Sequence, residues 1–419
     1  MVAKMKHKPS ILVIFLSVFI DLIGFGIVLP LLPGYAEDNF QADFSAKGLI
    51  IGGIIASFSA MQFFFAPLWG RLSDRIGRRP VMLISNLGAA GSYALFAIAC
   101  GMSGTMGLVW MLISRVFAGI CGANLSVASA YIADITPPEN RSAKMGLIGM
   151  AFGLGFIFGP AIGAFSVDLF GRQGPGWVAA GFCAANFVLG WFILGESRTP
   201  SSAPAPKRPK ANQWAHTLAQ PKLGLLILIF FFATFCFTCF ESTFPLLARQ
   251  LPGFNGKDAA HRVGYLFTYA GLVSALLQGG VTGRLVKKLG EPKLIFLSLI
   301  IYAISLAALP FATSLPEILI VLALLAIGSG LNRPPVFGMI SLKSSADEQG
   351  ANLGVAQSFG SLARILGPIF AASLFFVNFR LPYLICGGIA LVTGLFAWKS
   401  LCHEPVNASV GTSAPVMEK

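Results

Sequence analysis

Residues 70–84 read GRLSDRIGRRPVMLI, a phrase in which one acid and four arginines stand between two long apolar runs. Residues 283–295 read GRLVKKLGEPKLI, 213 positions later, with the same Gly-Arg-Leu opening and with Gly290 answering Gly77. Lys287 stands where the first copy has Asp74. A charged turn written twice, each time wedged between apolar segments, points to a duplicated unit. Each unit turns at a water-facing surface and runs through an apolar medium on either side.

Composition says what that medium is. Of 419 residues, 55% are hydrophobic and 11% charged, and the mean hydropathy is +0.76. A soluble domain carries about 25% charged residues, so most of this surface must meet lipid. A bilayer core asks for roughly 20 apolar residues per spanning helix. Twelve such runs occur, at 10–33, 48–70, 80–101, 107–132, 143–166, 176–195, 222–248, 263–286, 293–312, 316–341, 350–376 and 381–401. The expected fold is therefore an all-α membrane protein of twelve transmembrane helices. The basic, apolar N-terminus has the look of a signal peptide. Its run continues past Asp21 to Leu32 without a small-x-small cleavage pattern, which reads as an uncleaved first span.

The net charge of +13 would suit a nucleic-acid binder. Sorted by loop, however, 21 of the 30 Lys and Arg fall on the side of the N-terminus, 6 on the other and 3 within spans. That is the positive-inside bias. The basic excess orients the chain and touches anionic lipid headgroups; it calls for no nucleic acid. Both termini are expected in the cytoplasm, and the protein is expected in the cell inner membrane as a multi-pass monomer. The seven cysteines sit in or at the end of apolar spans and read as packing residues. No histidine has a partner at ligand spacing, so neither a metal nor a cofactor is expected. The short loops hold no nucleophile, metal-ligand or phosphate-binding pattern, which argues against an enzyme.

The stretch ESRTPSSAPAPKRPKANQW, residues 196–214, cannot form a packed core and reads as a linker. The expected organisation is an N-terminal six-helix half (1–196), a cytoplasmic linker (197–221), a C-terminal six-helix half (222–402) and a cytoplasmic tail (403–419). Two further matches relate the halves. FGPAIGA at 158–164 answers LGPIFAA at 366–372, and GANLS at 122–126 answers GLNRP at 330–334, both at an offset of 208. Parallel six-span repeats place substrate near the midplane between the halves.

The loop Gly70-x-x-x-Asp74-Arg75-x-Gly77-Arg78-Arg79 resembles the signature between the second and third spans of the major facilitator superfamily. DLIGFGIVLPLLP, APLWGRLSDRIGRRPVMLIS, SRVFAGICGANLSVASAYIAD, GLGFIFGPAIGA and EQGANLGVAQS resemble, more narrowly, its drug/proton antiporter branch and the tetracycline exporters within it. The resemblance implies two six-helix pseudo-symmetric halves and proton-driven transport. It also implies that Asp74 docks on the start of span 11 as a gate, that Arg115 takes part in proton transfer, and that Gly155, Gly159, Pro160 and Gly163 form the antiporter helix. Tetracycline exporters carry carboxylates in spans 3 and 9. Ser92 and Tyr302 stand at those positions, which counts against tetracycline as the substrate.

A charge at the bilayer centre costs roughly 3 kcal/mol or more, so intramembrane ionisable residues are functional candidates by default. They are Asp21, Arg115, Glu241, Arg333 and Arg364. Arginine does not give up its proton at working pH, which leaves Asp21 and Glu241 to carry one. The bland alternative is that these charges pair and hold helices in register. Asn124 and Asn332, equivalent in the two copies, are expected at the central cavity, with Gln62, Tyr265, Tyr269 and Gln278 as further lining. The functional expectation is a proton-coupled exporter of small amphipathic or drug-like molecules. Uptake of a metabolite such as a sugar, organic acid or siderophore is the alternative, kept open by the three arginines. A receptor or scaffold is disfavoured by the lack of large extramembrane segments.

Overall fold

A chain in lipid must satisfy its backbone polar groups within each segment, and nearly everything here is helix. The computed structural model describes residues 9–28, 44–122, 124–198, 213–248 and 259–402. The N-terminal half holds α1 (Ile11–Val28), α2 (Phe44–Ile76), α3 (Arg78–Cys100), α4 (Gly104–Cys121), α5 (Asn124–Ile135), α6 (Arg141–Phe170) and α7 (Gly174–Ile193). A short α8 (Gln213–Ala219) follows. The C-terminal half holds α9 (Pro221–Ala248), α10 (Ala259–Leu276), α11 (Thr282–Leu289), α12 (Glu291–Ala308), α13 (Leu315–Lys343), α14 (Gln349–Phe375) and α15 (Leu381–Leu401). The linker stretch 199–212 and the tail 403–419 lie outside the described residues.

Among the described residues, eleven helices or helix pairs are long and apolar enough to cross a membrane. Two of the spans expected from the sequence are interrupted. Span 4 ends one helix at Cys121 and begins another at Asn124. Span 8 is the twelfth span: α10 passes through a π-helical turn, Leu277–Val281, into α11. There Thr282 Oγ1 donates to the Leu277 carbonyl at 3.1 Å, in a segment weakened by Gly279 and Gly280. Neither break shows in an apolar run, because hydropathy is blind to backbone geometry.

Within the N-terminal half α1 packs on α6 and α7, and α3 on α4 and α7. Within the other, α9 packs on α14 and α15, and α12 on α13 and α15. The halves meet along α2 against α14 and along α6 against α10 and α13. The α2–α14 and α6–α10 pairs are counterparts under the duplication. Glycine lets these backbones close up: a Cβ on Gly159 would stand 2.6 Å from the Cα of Gly26, with no side chain to move aside. Leucine, isoleucine and phenylalanine side chains stay exposed on the outside of the bundle, among them Phe165, Phe192 and Ile320, as a lipid-facing surface requires.

The duplicated turn keeps one geometry in both copies. Gly77 has φ 101° and Gly290 has φ 77°, a left-handed conformation that side chains resist. Each glycine ends the second helix of its half and caps the third. The face carrying these turns (the loop face) also receives α8. Trp214 packs edge-on against Phe63 at 4.3 Å, and Thr217 donates to Asn352 Oδ1 at 2.8 Å, so α8 touches both halves.

Candidate functional site

Asp21, ten residues into α1, is held by amides. Asn124 Nδ2, at the start of α5, donates to Asp21 Oδ2 at 2.7 Å. Asn186 Nδ2, from α7, donates to Asp21 Oδ1 at 3.0 Å and to the Ser17 carbonyl at 2.9 Å. Asn86 of α3 completes the ring, its Oδ1 accepting from Asn124 Nδ2 at 2.9 Å. All three asparagines are buried, and among the described residues no ion pair within 4 Å reaches Asp21. Asn124 lies just past the turn at Gly122 that ends α4. The carbonyls freed there are taken by side chains: Trp69 Nε1 donates to Ile120 at 2.6 Å, Gln62 Nε2 to Gly122 at 2.8 Å, and Ser85 to Cys121. Sequence reading found Asp21 and Asn124. It missed Asn86 and Asn186, which sit alone on apolar helices with no local pattern to mark them.

Arg115 lies buried in α4 with its guanidinium 5.3 Å from the Tyr93 ring and 4.9 Å from the Phe96 ring. Its Nε and Nη2 have no hydrogen-bond partner among the described residues. Tyr93 also packs beside Gly24 and Cys183 and interacts electrostatically with both Arg115 and Asp21. Cation–π contact here replaces the carboxylate that an arginine ordinarily takes.

A second polar cluster bridges the halves. Arg364 Nη2, half-buried on α14, donates to Gln62 Oε1 of α2 at 2.6 Å and to Ser361 Oγ at 3.0 Å. Ser361 Oγ in turn donates to Gln62 at 2.9 Å. Arg333 of α13 donates to Gln357 Oε1 at 3.4 Å and stands over the rings of Phe152, Phe230 and Phe337 at 4.8, 5.7 and 5.2 Å. Phe152 comes from the opposite half. Glu241 on α9 is the acid that interacts electrostatically with Arg364, although no ion pair within 4 Å joins them.

The remaining candidates fall in different places. Asn332 Nδ2 donates to Ser298 Oγ at 3.3 Å inside the C-terminal half. The amides of both Asn124 and Asn332 are thus engaged within their own halves. Gln278 sits on the π turn, donates to Ser274 Oγ at 2.7 Å and presses on Gly149 of the other half. Tyr265 is 72% exposed and Tyr269 half-buried, both on α10. Ser92 donates to the Ala89 carbonyl of its own helix at 2.7 Å, and Tyr302 is fully buried in the C-terminal core. Gly155, Gly159 and Gly163 face α1, which carries Asp21, and Pro160 lies inside α6 without ending it.

At the loop face, Asp74 accepts from the backbone N–H groups of Gly350 and Ala351 at 3.1 and 2.9 Å, the first residues of α14. Gly70 lies against the Gly350 backbone, where a Cβ would collide with its carbonyl. Arg78, fully buried, pairs with Asp74 at 2.7 Å and Asp134 at 3.0 Å. Glu196 accepts from the N–H groups of Arg78 and Arg79 at 2.8 and 3.1 Å and so supplies the side-chain cap that Gly77 cannot. Arg79 also reaches the Trp191 carbonyl at 2.6 Å, while Arg75 points to the exposed side. Arg198 joins Asp74 at 3.2 Å to Asp347 at 2.6 Å. In the second copy, Ser142 Oγ donates to Glu291 at 3.1 Å across the halves, and Gly283 packs on Ala143.

Among the described residues no group of three His, Cys, Asp or Glu is placed to hold a metal ion. All seven cysteines are free thiols; Cys236 and Cys239 donate to the carbonyls of Cys386 and Gly367.

Twelve spans in two related halves, with polar groups gathered inside and between them, define a helical membrane transporter. The chain belongs to the Major Facilitator Superfamily, whose family model matches residues 14–290 and 258–415. It is 33% identical to the class C tetracycline resistance protein of Escherichia coli over 384 residues, 88% of this chain and 91% of that one. It is 29% identical to major facilitator superfamily domain-containing protein 10 of Mus musculus, over 94% and 93% of the two chains. The solved structure of the human organic anion transporter MFSD10 superposes with a TM-score of 0.80 at 29% identity, covering 92% of this chain and 98% of that one.

Proposed function

We propose that this transporter works as a proton-coupled exporter of small amphipathic molecules, alternating access between the two sides of the membrane. The observation that carries the reading is Asp21, a half-buried acid within a span, held by neutral amides and, among the described residues, paired with no cation. Such a group can take up a proton without stranding a buried cation, and on release the amide N–H groups are what stabilise the carboxylate. It rides on α1, whose contact with α6 is built from glycines, so its surroundings change if α6 moves. Glu241, with Arg364 near it, is the second proton-carrying candidate. Arg115, through Tyr93, tunes the field around the first. Asp74 on the start of α14 is read as the latch that holds the cytoplasmic side shut, with the loop face taken as cytoplasmic. Relatives named for tetracycline resistance support export. Tetracycline itself is not the proposed substrate, because Ser92 and Tyr302 replace the acids that the resemblance implies.

A second reading concerns substrate charge. Arg333 and Arg364 lie where the halves meet, with Glu241 as the acid near them, and a relative is named as an organic anion transporter. Both points favour an anionic amphiphile. One assay tests the two readings: accumulation of anionic and cationic fluorescent amphiphiles in cells stripped of their own exporters, with and without an uncoupler. Wild type is expected to lower accumulation of one charge class, and Asp21→Asn to lose the uncoupler-sensitive part, since an amide cannot carry the proton. Equal accumulation with wild type, with Asp21→Asn and with no transporter, across the panel, would refute export.

A further inference from the structure

Gln62, buried midway along α2, has its two ends on different halves of the molecule. Its Nε2 donates to the Gly122 carbonyl at 2.8 Å, and its Oε1 accepts from Arg364 Nη2 at 2.6 Å and from Ser361 Oγ at 2.9 Å. The amide fits only this way round. A carbonyl has no proton to give and a guanidinium has no lone pair to offer, so the reverse orientation would set oxygen against oxygen and nitrogen against nitrogen. The anchor comes from the end of α4, where Gly122 is the cap and a terminal carbonyl needs a donor from outside its helix.

Arg364 is thereby held without its charge being matched. Gln62 and Ser361 are neutral, and both bonds run from Nη2. Among the described residues no carboxylate lies within 4 Å of the guanidinium, and Glu241 acts on it from farther away. Arg333 is held differently. Its bond to Gln357 Oε1 is 3.4 Å long, and Gln357 Nε2 is buried without a partner among the described residues. Of the two glutamines that meet these arginines, Gln62 is the one pinned from its other end.

We propose that Gln62 is a positioning residue that aims Arg364 at an anionic group of the substrate, with the end of α4 as its anchor. A neutral oxygen fixes the direction of the guanidinium without cancelling its charge, so a carboxylate, sulfonate or phosphate arriving between the halves still meets a cation in need of a partner. A carboxylate at position 62 would neutralise Arg364 instead. The proposal rests on the reading of the substrate as an anionic amphiphile, and it adds the residue that keeps the site both directed and charged.

The test is equilibrium binding to purified full-length protein in lipid nanodiscs, read by energy transfer from tryptophan to dansyl, with empty discs subtracted. The probes are dansyl-labelled alkyl sulfonates of several chain lengths, each paired with its uncharged sulfonamide. The Kd of the sulfonamide divided by that of the sulfonate is taken within each variant, so a general loss of binding cancels. Wild type is expected to favour the sulfonates, and Arg364→Gln to lose the preference. Gln62→Leu should shrink the ratio about tenfold, the loss that goes with one hydrogen bond to a charged group. Gln62→Glu matches the native side chain in size, but its carboxylate cannot donate to Gly122 and pairs with Arg364. It should lose the preference as Arg364→Gln does, which keeps the test open if the leucine variant folds poorly. A side chain that merely fills space would let the glutamate variant keep the wild-type ratio. That result, or a preference that survives Arg364→Gln, overturns the role given to Gln62 and leaves the anionic reading standing. A wild type that does not favour the sulfonates, whether it binds both members of each pair alike or neither, overturns the reading and the inference together.

Discussion

In the N-terminal half the charge inside the membrane is an acid, Asp21, ringed by three asparagines, with Arg115 set against the ring of Tyr93. In the C-terminal half it is a pair of arginines, Arg333 and Arg364, with Glu241 near them and three phenylalanines beneath Arg333. Helix pairing is the same in both halves and polar wiring is opposite. The scaffold repeats because helix packing depends on residue size at contact positions, which duplication copies. The wiring is free to diverge because each polar cluster answers only to the partners that face it. The loop face repeats the lesson on a smaller scale. Asp74 meets the start of α14, where the helix dipole favours an anion. Lys287 could not do the same at the start of α6, and there the halves are joined by Ser142 and Glu291 instead.

The contrast can be broken at three points, beginning with the one expected to cost most. Gly159 and Gly367 are equivalent positions with unlike neighbours. A Cβ at Gly159 meets the backbone of Gly26, whereas one at Gly367 first meets the Thr238 hydroxyl, which can turn away. Gly159→Ala should therefore destabilise by about 1–3 kcal/mol, the range for overpacking, and Gly367→Ala by less. Melting temperatures in detergent compare them, and equal losses would mean that both contacts yield alike. Next is the gate. Asp74→Asn should slow transport several-fold at unchanged expression, since Arg78 keeps Asp134 and stays paired. Lys287→Asn should lie within ~0.5 kcal/mol of wild type in stability and transport normally. Full activity in Asp74→Asn would remove the latch. The third point is Arg198→Ala, with a smaller effect than the gate variant. Its partner Asp347 is 57% exposed, so the pair is worth about 0–1 kcal/mol. A loss as large as that of Asp74→Asn would promote Arg198 from a supplement to a principal part of the latch.

How far the site could be read in advance depended on the kind of signal each residue leaves. Asp21 and the three arginines stand out because a charge in an apolar run is costly and therefore rare. Asn86 and Asn186 leave no such mark. A single asparagine in a span is common, and only the packing of α3 and α7 on α1 brings these two to the same carboxylate. The break before Asn124 was equally hidden, since Gly122 reads as one more small packing residue until Gln62, Trp69 and Ser85 are seen to hold the freed carbonyls. Arg198 reads as the first charge of a flexible linker, and folding places it between two acids from different halves.

By itself the sequence determined the spans, their duplication and the charged turns, because burial in lipid and the geometry of a tight turn act on residues close together in the chain. Tertiary structure alone decided which polar groups meet. Hydrogen bonds and ion pairs depend on atoms brought within about 3 Å, and residues as far apart as Asp21 and Asn186, or Asp74 and Gly350, come that close only when the helices have packed.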